Sequence, residues 1–184
     1  QTAAGFKDRF NIDVRTHTEV IQIDRAAKKV KALNYATGET YEERYDKLVL
    51  SPGADPIRPP LPGIDQPGIF TLRNVPDTDA IKSFASSKTH KTALVIGAGF
   101  IGLEMAENLH HTGFEVTIVE MANQILAPVD FPIAAILQQH IRSKGVEILL
   151  NTTVTGFKKA EEGIEVQFKN GEKLTAGIVI LSIG

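Results

Sequence analysis

The sequence predicts an α/β fold, a parallel sheet carrying an antiparallel β-meander, on three observations. Thr92–Ile96, Val146–Leu149 and Ile178–Leu181 are short, near-continuous apolar runs, the pattern of strands buried on both faces. Stretches with helical spacing of apolar residues separate the earlier runs, as the crossovers of a parallel sheet require. From Ile164 the period becomes two: Ile164-Glu-Val-Gln-Phe168 alternates, and Asn170-Gly171 behind it signals a two-residue hairpin turn.

Each element has its own punctuation. The helix expected over about 100–112 sets Ile101, Met105, Ala106 and Leu109 on one side, with His110 and His111 in its last turn and Gly113 left-handed behind it. Glu115-Val-Thr-Ile-Val-Glu120 is the next strand. Asp130 is placed to N-cap a further helix, with Pro132 in its first turn, Ile133, Ile136, Leu137 and Ile141 at helical spacing, and Gly145 at its end. A helix over 77–87 would face the core with Ile81, Phe84 and Ala85. Pro52, Pro56, Pro59, Pro60, Pro62, Gly63 and Pro67 mark an ordered crossover or linker between domains.

Composition narrows the function. A chain of 184 residues accommodates one full domain and part of a second. A net charge of −2 gives no electrostatic footprint for nucleic acid or an anionic membrane. The apolar runs fall far short of a bilayer span and no signal-peptide pattern opens the chain, so the expected location is cytoplasmic. Without cysteine the chain has no disulfide, thiolate metal ligand or thiol nucleophile. It begins at Gln1 rather than Met, as an excised segment would.

Gly97-Ala-Gly-Phe-Ile-Gly102 follows a buried strand, opens a helix, and lies about 20 residues before an acidic residue that ends the next strand. That context makes a G-x-G-x-x-G run a Rossmann-like dinucleotide fingerprint. Gly97 allows the tight turn, Gly99 the approach of a pyrophosphate, and Gly102 close packing of helix on strand. The helix start offers unpaired N–H groups and a positive dipole end to the phosphates. Glu120 can accept from both hydroxyls of an adenosine ribose and would repel a 2′-phosphate. Met121-Ala-Asn-Gln124 adds no cation, so NAD(H) is expected rather than NADP(H).

The first quarter of the chain repeats the last. Ile12-Asp-Val14 corresponds to Val146-Glu-Ile148, Glu19-Val20 to Thr153-Val154, and Gly38-Glu39 to Gly171-Glu172. Tyr45-Asp-Lys-Leu-Val-Leu-Ser-Pro-Gly53 corresponds to Ala176-Gly-Ile-Val-Ile-Leu-Ser-Ile-Gly184. Each copy reads as strand, antiparallel meander, then an apolar strand ending in glycine. The duplication implies a second nucleotide site, whose glycine-rich start would lie upstream of Gln1.

Tyr45-Asp-Lys-Leu-Val-Leu-Ser-Pro-Gly-Ala54, Phe70-Thr-Leu-Arg-Asn74, Gly97-Ala-Gly-Phe-Ile-Gly-Leu-Glu-Met-Ala-Glu-Asn108 and Ala176–Gly184 together carry a family resemblance. Along its whole length the chain resembles an internal segment of the FAD-dependent pyridine nucleotide-disulfide oxidoreductases. The nearest branch is that of coenzyme A-disulfide reductases, NADH oxidases and NADH peroxidases. The resemblance implies FAD in a first Rossmann-like domain, NAD(H) in a second inserted within it, and a homodimer made by a C-terminal domain. Residues 1–75 would be a partial FAD-binding segment and 76–184 the NAD-binding domain.

Residue by residue, Ser51, Pro52, Gly53 and Ala54 match the flavin-domain strand end, Arg73 a position near the flavin nucleotide, and Val20 one near its adenine. Ala98 sits within the glycine motif. Phe100 matches an aromatic that covers the flavin until nicotinamide displaces it, and Ile101 and Gly184 match contacts to the nicotinamide nucleotide. Glu104 matches a carboxylate that pairs with a lysine beside the flavin, and that lysine is absent here. The resemblance places the first glycine motif and redox cysteine upstream of Gln1, and the FAD-binding Gly-Asp motif and dimer domain beyond Gly184. The chain is therefore expected to bind the nicotinamide dinucleotide without catalysing, while its parent passes hydride from NADH to FAD. The same residues admit a thiol-independent electron-carrier reductase or a non-enzymatic NAD-sensing module. His110 and His111 point in different directions on a helix and read as dipole-stabilising cations, not metal ligands. Lys28-Lys29-Val-Lys31 reads as a solvated hairpin.

Overall fold

A computed structural model describes residues 2–87 and 91–183. The chain divides into two compact units, Gln1–Gly53 and Ala54–Gly184. The first holds helix α1 (Ala3–Phe10) and an antiparallel meander of β1 (Thr18–Asp24), β2 (Lys29–Asn34) and β3 (Thr40–Arg44), paired in that order. Lys29 reaches across to Glu42 at 2.7 Å, so the lysine-rich stretch is a solvated hairpin.

Ile12–Val14 and the 45–53 run, both expected as strands, form none. Among the described residues no strand of this unit pairs with either one to complete a hydrogen-bonded ladder, and a lone strand leaves its polar backbone unpaired. Their apolar side chains stay open, Val49 at 84% and Leu50 at 68% exposure, and Ala32 is the one buried apolar residue among those described in this unit.

The second unit begins with β4 (Ile69–Thr71), α2 (Val75–Ser86), β5 (Thr92–Ile96), α3 (Phe100–His111), β6 (Glu115–Val119), α4 (Phe131–Ser143) and β7 (Glu147–Leu149). A meander of β8 (Val154–Ala160), β9 (Gly163–Phe168) and β10 (Lys173–Ala176) follows, and β11 (Ile178–Leu181) closes it. The main sheet is wholly parallel, in the order β4-β11-β5-β6-β7. β4 pairs with β11, so the strand before residue 75 packs with this compact unit.

Period two distributes the sheet's side chains between two cores. Val95, Ile118, Ile148, Ile178 and Ile180 meet α2, α3 and α4. Leu94, Ile96, Val119, Val179 and Leu181 meet Phe157, Ile164, Val166 and Phe168 of the meander. The parallel strands lie between two layers, which is why their sequences are apolar without alternation.

Three local expectations need correction. Asp130 occupies the N-cap of α4 but its side chain makes no capping bond. Ile133 and Ile136 are exposed, because the core-facing stripe of α4 is the narrower set of buried Ala134 and partly buried Leu137 and Ile141. The Asn170-Gly171 turn is not a two-residue loop: only Gly171 is left-handed (φ +88), and Phe168 N–H bonds Glu172 O at 3.0 Å. A type I′ turn needs positive φ at both central residues.

Helix α2 starts two residues before the expected 77, at an Asn74/Asp77 capping box. Asn74→Ala removes the acceptor for Asp77 N–H (3.0 Å). It should cost about 1 kcal/mol, read in a thermal melt as a fall of roughly 2–4 °C. An unchanged melting temperature would show the cap to be replaced by water. Among the described residues no helix is long and apolar enough to cross a membrane.

Candidate dinucleotide site

The glycine run lies at the end of β5, between β6 and β11, and each glycine answers a different demand. Gly97 has φ +100, and its N–H donates to Val119 O at 2.8 Å. A Cβ there would stand 2.5 Å from Ser182 O. Gly102 sits in the first turn of α3, where a Cβ would stand 2.0 Å from Gly97 O. Gly99, the N-cap, has ordinary φ (−76) and no heavy atom within 4 Å of a Cβ position. Two glycines thus close the turn, and the third leaves open space above it.

No side chain caps α3, and its first bond is Leu103 N–H to Gly99 O (3.0 Å). The amides of Phe100, Ile101 and Gly102 therefore have no acceptor within the helix. The first turn holds no acidic residue to offset the positive dipole end. An anion is what this helix start lacks.

Glu120 follows β6 directly and is partly buried. Its Oε2 accepts from Ala98 N–H and its Oε1 from Ala122 N–H, each at 2.8 Å. The carboxylate thus ties the middle of the glycine turn to the end of the neighbouring strand. It has about four acceptor positions, and two are used here. Sequence reasoning placed Glu120 beside a ribose and missed its grip on Ala98. The signal was available, since a buried amide inside a tight turn requires an acceptor.

The remaining expected residues fall as follows. Phe100 and Ile101 are exposed at 65% and 51% in the first turn of α3, and Glu104 is exposed one turn on. Val20 is exposed on β1, and Ser51, Pro52 and Gly53 are exposed at the end of the first unit. Ala54 and Arg73 belong to the second unit. Arg73 forms a close ion pair with Asp55, and its N–H donates to Asp77 Oδ2 at 2.8 Å. Gly184 lies outside the described residues.

The structure gathers Gly97, Ala98, Gly99, Phe100, Ile101, Gly102 and Glu120 at one turn. It builds no comparable cradle from the flavin-matched positions within either unit. Among the described residues the other helices start at Thr2, Asn74 and Asp130, none on a glycine turn.

His110 and His111 end α3, and His110 lines an apolar cavity of about 500 Å³ between α3 and α4. Among the described residues no group of three or more metal-ligating side chains converges.

Residues 5–184 match the pyridine nucleotide-disulphide oxidoreductase family. The chain belongs to that family. Coenzyme A disulfide reductase of Staphylococcus haemolyticus is 36% identical over 179 residues, covering 97% of this chain and 39% of the relative. The crystal structure of reduced Bacillus anthracis CoADR-RHD superimposes with a TM-score of 0.86 at 44% identity, covering 100% of this chain and 33% of that one. The water-forming NADH oxidase from Lactobacillus brevis, solved bound to NADH, gives 0.78 at 31% identity, covering 91% of this chain and 37% of that one. The chain spans about two-fifths of the length of the curated relatives it matches. The mixed fold read from the sequence, a parallel sheet with an antiparallel meander, is the fold of these family members.

Proposed function

We propose that this chain is the NAD(H)-binding part of a flavoprotein oxidoreductase of the NADH oxidase or coenzyme A-disulfide reductase type, whose whole form passes hydride from NADH to FAD. The observation that carries the reading is the turn itself: an uncapped helix start behind glycines that a Cβ would obstruct, with a carboxylate one strand away. Family membership supports it, as does the NADH-bound structure of the Lactobacillus brevis relative.

In this reading the amides at the start of α3 hold the diphosphate. Gly99 leaves the space it needs, and Gly97 and Gly102 keep helix and strand in register. Glu120 accepts from the adenosine ribose hydroxyls while still holding Ala98, and its charge disfavours a 2′-phosphate. Ile101, exposed in the first turn of α3, meets the nicotinamide half, Phe100 beside it covers the flavin until nicotinamide arrives, and Glu104 and Gly184 are assigned on their family match alone. The dinucleotide, when bound, supplies the hydride; the chain contributes position and electrostatics. Residues 76–184 form the NAD-binding domain, and 1–75 belong to the flavin domain of the whole protein. Val20, Ser51–Ala54 and Arg73 form no diphosphate cradle within either unit, so no flavin step is assigned to this chain.

Titration of the purified chain with NADH by calorimetry should show saturable one-to-one binding with a rise in melting temperature. A folded chain with neither response at saturating NADH would overturn the reading.

A further inference from the structure

Ser182 is the first residue after β11. Period two puts its side chain on the face of Ile178 and Ile180, beneath the helices. Its N–H donates to Ile96 O at 2.8 Å, which fixes it beside the end of β5. Its Cβ lies 3.4 Å from the position a Cβ on Gly102 would take, and its carbonyl oxygen is the atom that a Cβ on Gly97 would strike. Ser182 therefore forms the floor of the glycine turn.

The Ser182 hydroxyl is buried and has no hydrogen-bond partner among the described residues. Alanine would fill the same place without that cost, so the ligand-free fold gains nothing from the oxygen. The internal repeat points the same way. Aligning Tyr45–Gly53 with Ala176–Gly184 sets Ser51 opposite Ser182, so a serine stands at the same position in both copies of the sequence repeat.

We propose that Ser182 is a positioning residue for the dinucleotide: its hydroxyl completes its hydrogen bonding only when a diphosphate occupies the start of α3, and it thereby favours the ligand-bound turn. The inference rests on the dinucleotide reading above. Rotation about one χ1 moves the hydroxyl between staggered wells without moving the backbone. A hydroxyl both donates and accepts, so it can serve an amide of the turn, a phosphate oxygen or a bridging water.

Ser182→Ala in the full chain tests this. Its ligand-free melting temperature should equal or exceed that of the unaltered chain, because no bond is lost. Its affinity for NADH should fall about fivefold, the worth of one net hydrogen bond. ADP-ribose, which keeps the diphosphate, should weaken by the same factor, and adenosine, which lacks it, should not change. Unaltered NADH affinity, an equal loss for adenosine, or a lower ligand-free melting temperature would each overturn the role of Ser182. Failure of the unaltered chain to bind NADH would instead remove the dinucleotide reading, and this inference with it.

Discussion

In Gly102→Ala the added methyl group would stand 2.0 Å from the Gly97 carbonyl oxygen, where ordinary contact begins at 3.4 Å. Both partners are backbone, one in a helix and one in a turn pinned by Val119, so neither can yield alone. Helix α3 must lift from β5. Overpacking of this kind costs about 1–3 kcal/mol, occasionally more, and should lower the melting temperature by roughly 2–12 °C. NADH binding should suffer further, because lifting α3 misdirects the amides at its start. Losing two charge-assisted hydrogen bonds at about 1.5–3 kcal/mol each lowers affinity about a hundredfold or more.

Gly99→Ala is the matching control. Its methyl group meets nothing within 4 Å and its φ suits alanine, so the melting temperature should hold. NADH affinity should still drop, by about tenfold, since the methyl occupies space that a diphosphate needs. Calorimetric scans and NADH titrations on the pair separate fold from ligand. Normal NADH binding by Gly99→Ala would mean that the diphosphate does not cross this turn.

The division between what the residues announced and what they withheld has a physical basis. Strands buried on both faces declare themselves by apolar runs alone, and Thr92–Ile96 and Ile178–Leu181 lie where expected. Helix α3 was legible because glycine opens it and Gly113 (φ +86) closes it. Readings failed where pairing partners decide the outcome. Leu48, Val49 and Leu50 have strand character, yet a strand exists only beside another, and none is present for them in their unit. The face of α4 was read too broadly because periodicity shows which residues could be buried, not how closely the sheet approaches. Ile133 and Ile136 meet the pattern and miss the contact.

Side-chain roles divide along the same line. The glycines of the turn are constrained by local backbone geometry, so their spacing was enough to find them. Ser182 is 80 residues away in sequence from Gly102, and only the pairing of β11 with β5 brings the two together. Arg73 shows the converse. Its resemblance to a flavin-side position says nothing of Asp55, its partner here.

Glu120→Ala should weaken NADH about a hundredfold and NADPH far less, narrowing the preference between them. Two effects of different selectivity combine. Removing the carboxylate leaves Ala98 N–H and Ala122 N–H without their acceptors, which loosens the glycine turn for either dinucleotide. It also removes the acceptor of the 2′-hydroxyl, a loss for NADH alone, and the negative charge facing a 2′-phosphate, a gain for NADPH alone. The shared loss cancels in the ratio of the two affinities, so the ratio isolates what Glu120 does at the 2′ position, accepting from a hydroxyl and repelling a phosphate. Equal losses for both nucleotides would confine Glu120 to holding the turn. Ionic strength adds an independent check: raising salt screens repulsion between Glu120 and a 2′-phosphate. The preference for NADH should therefore shrink with salt in the unaltered chain and show little salt dependence in Glu120→Ala, because the charge that salt would screen is gone.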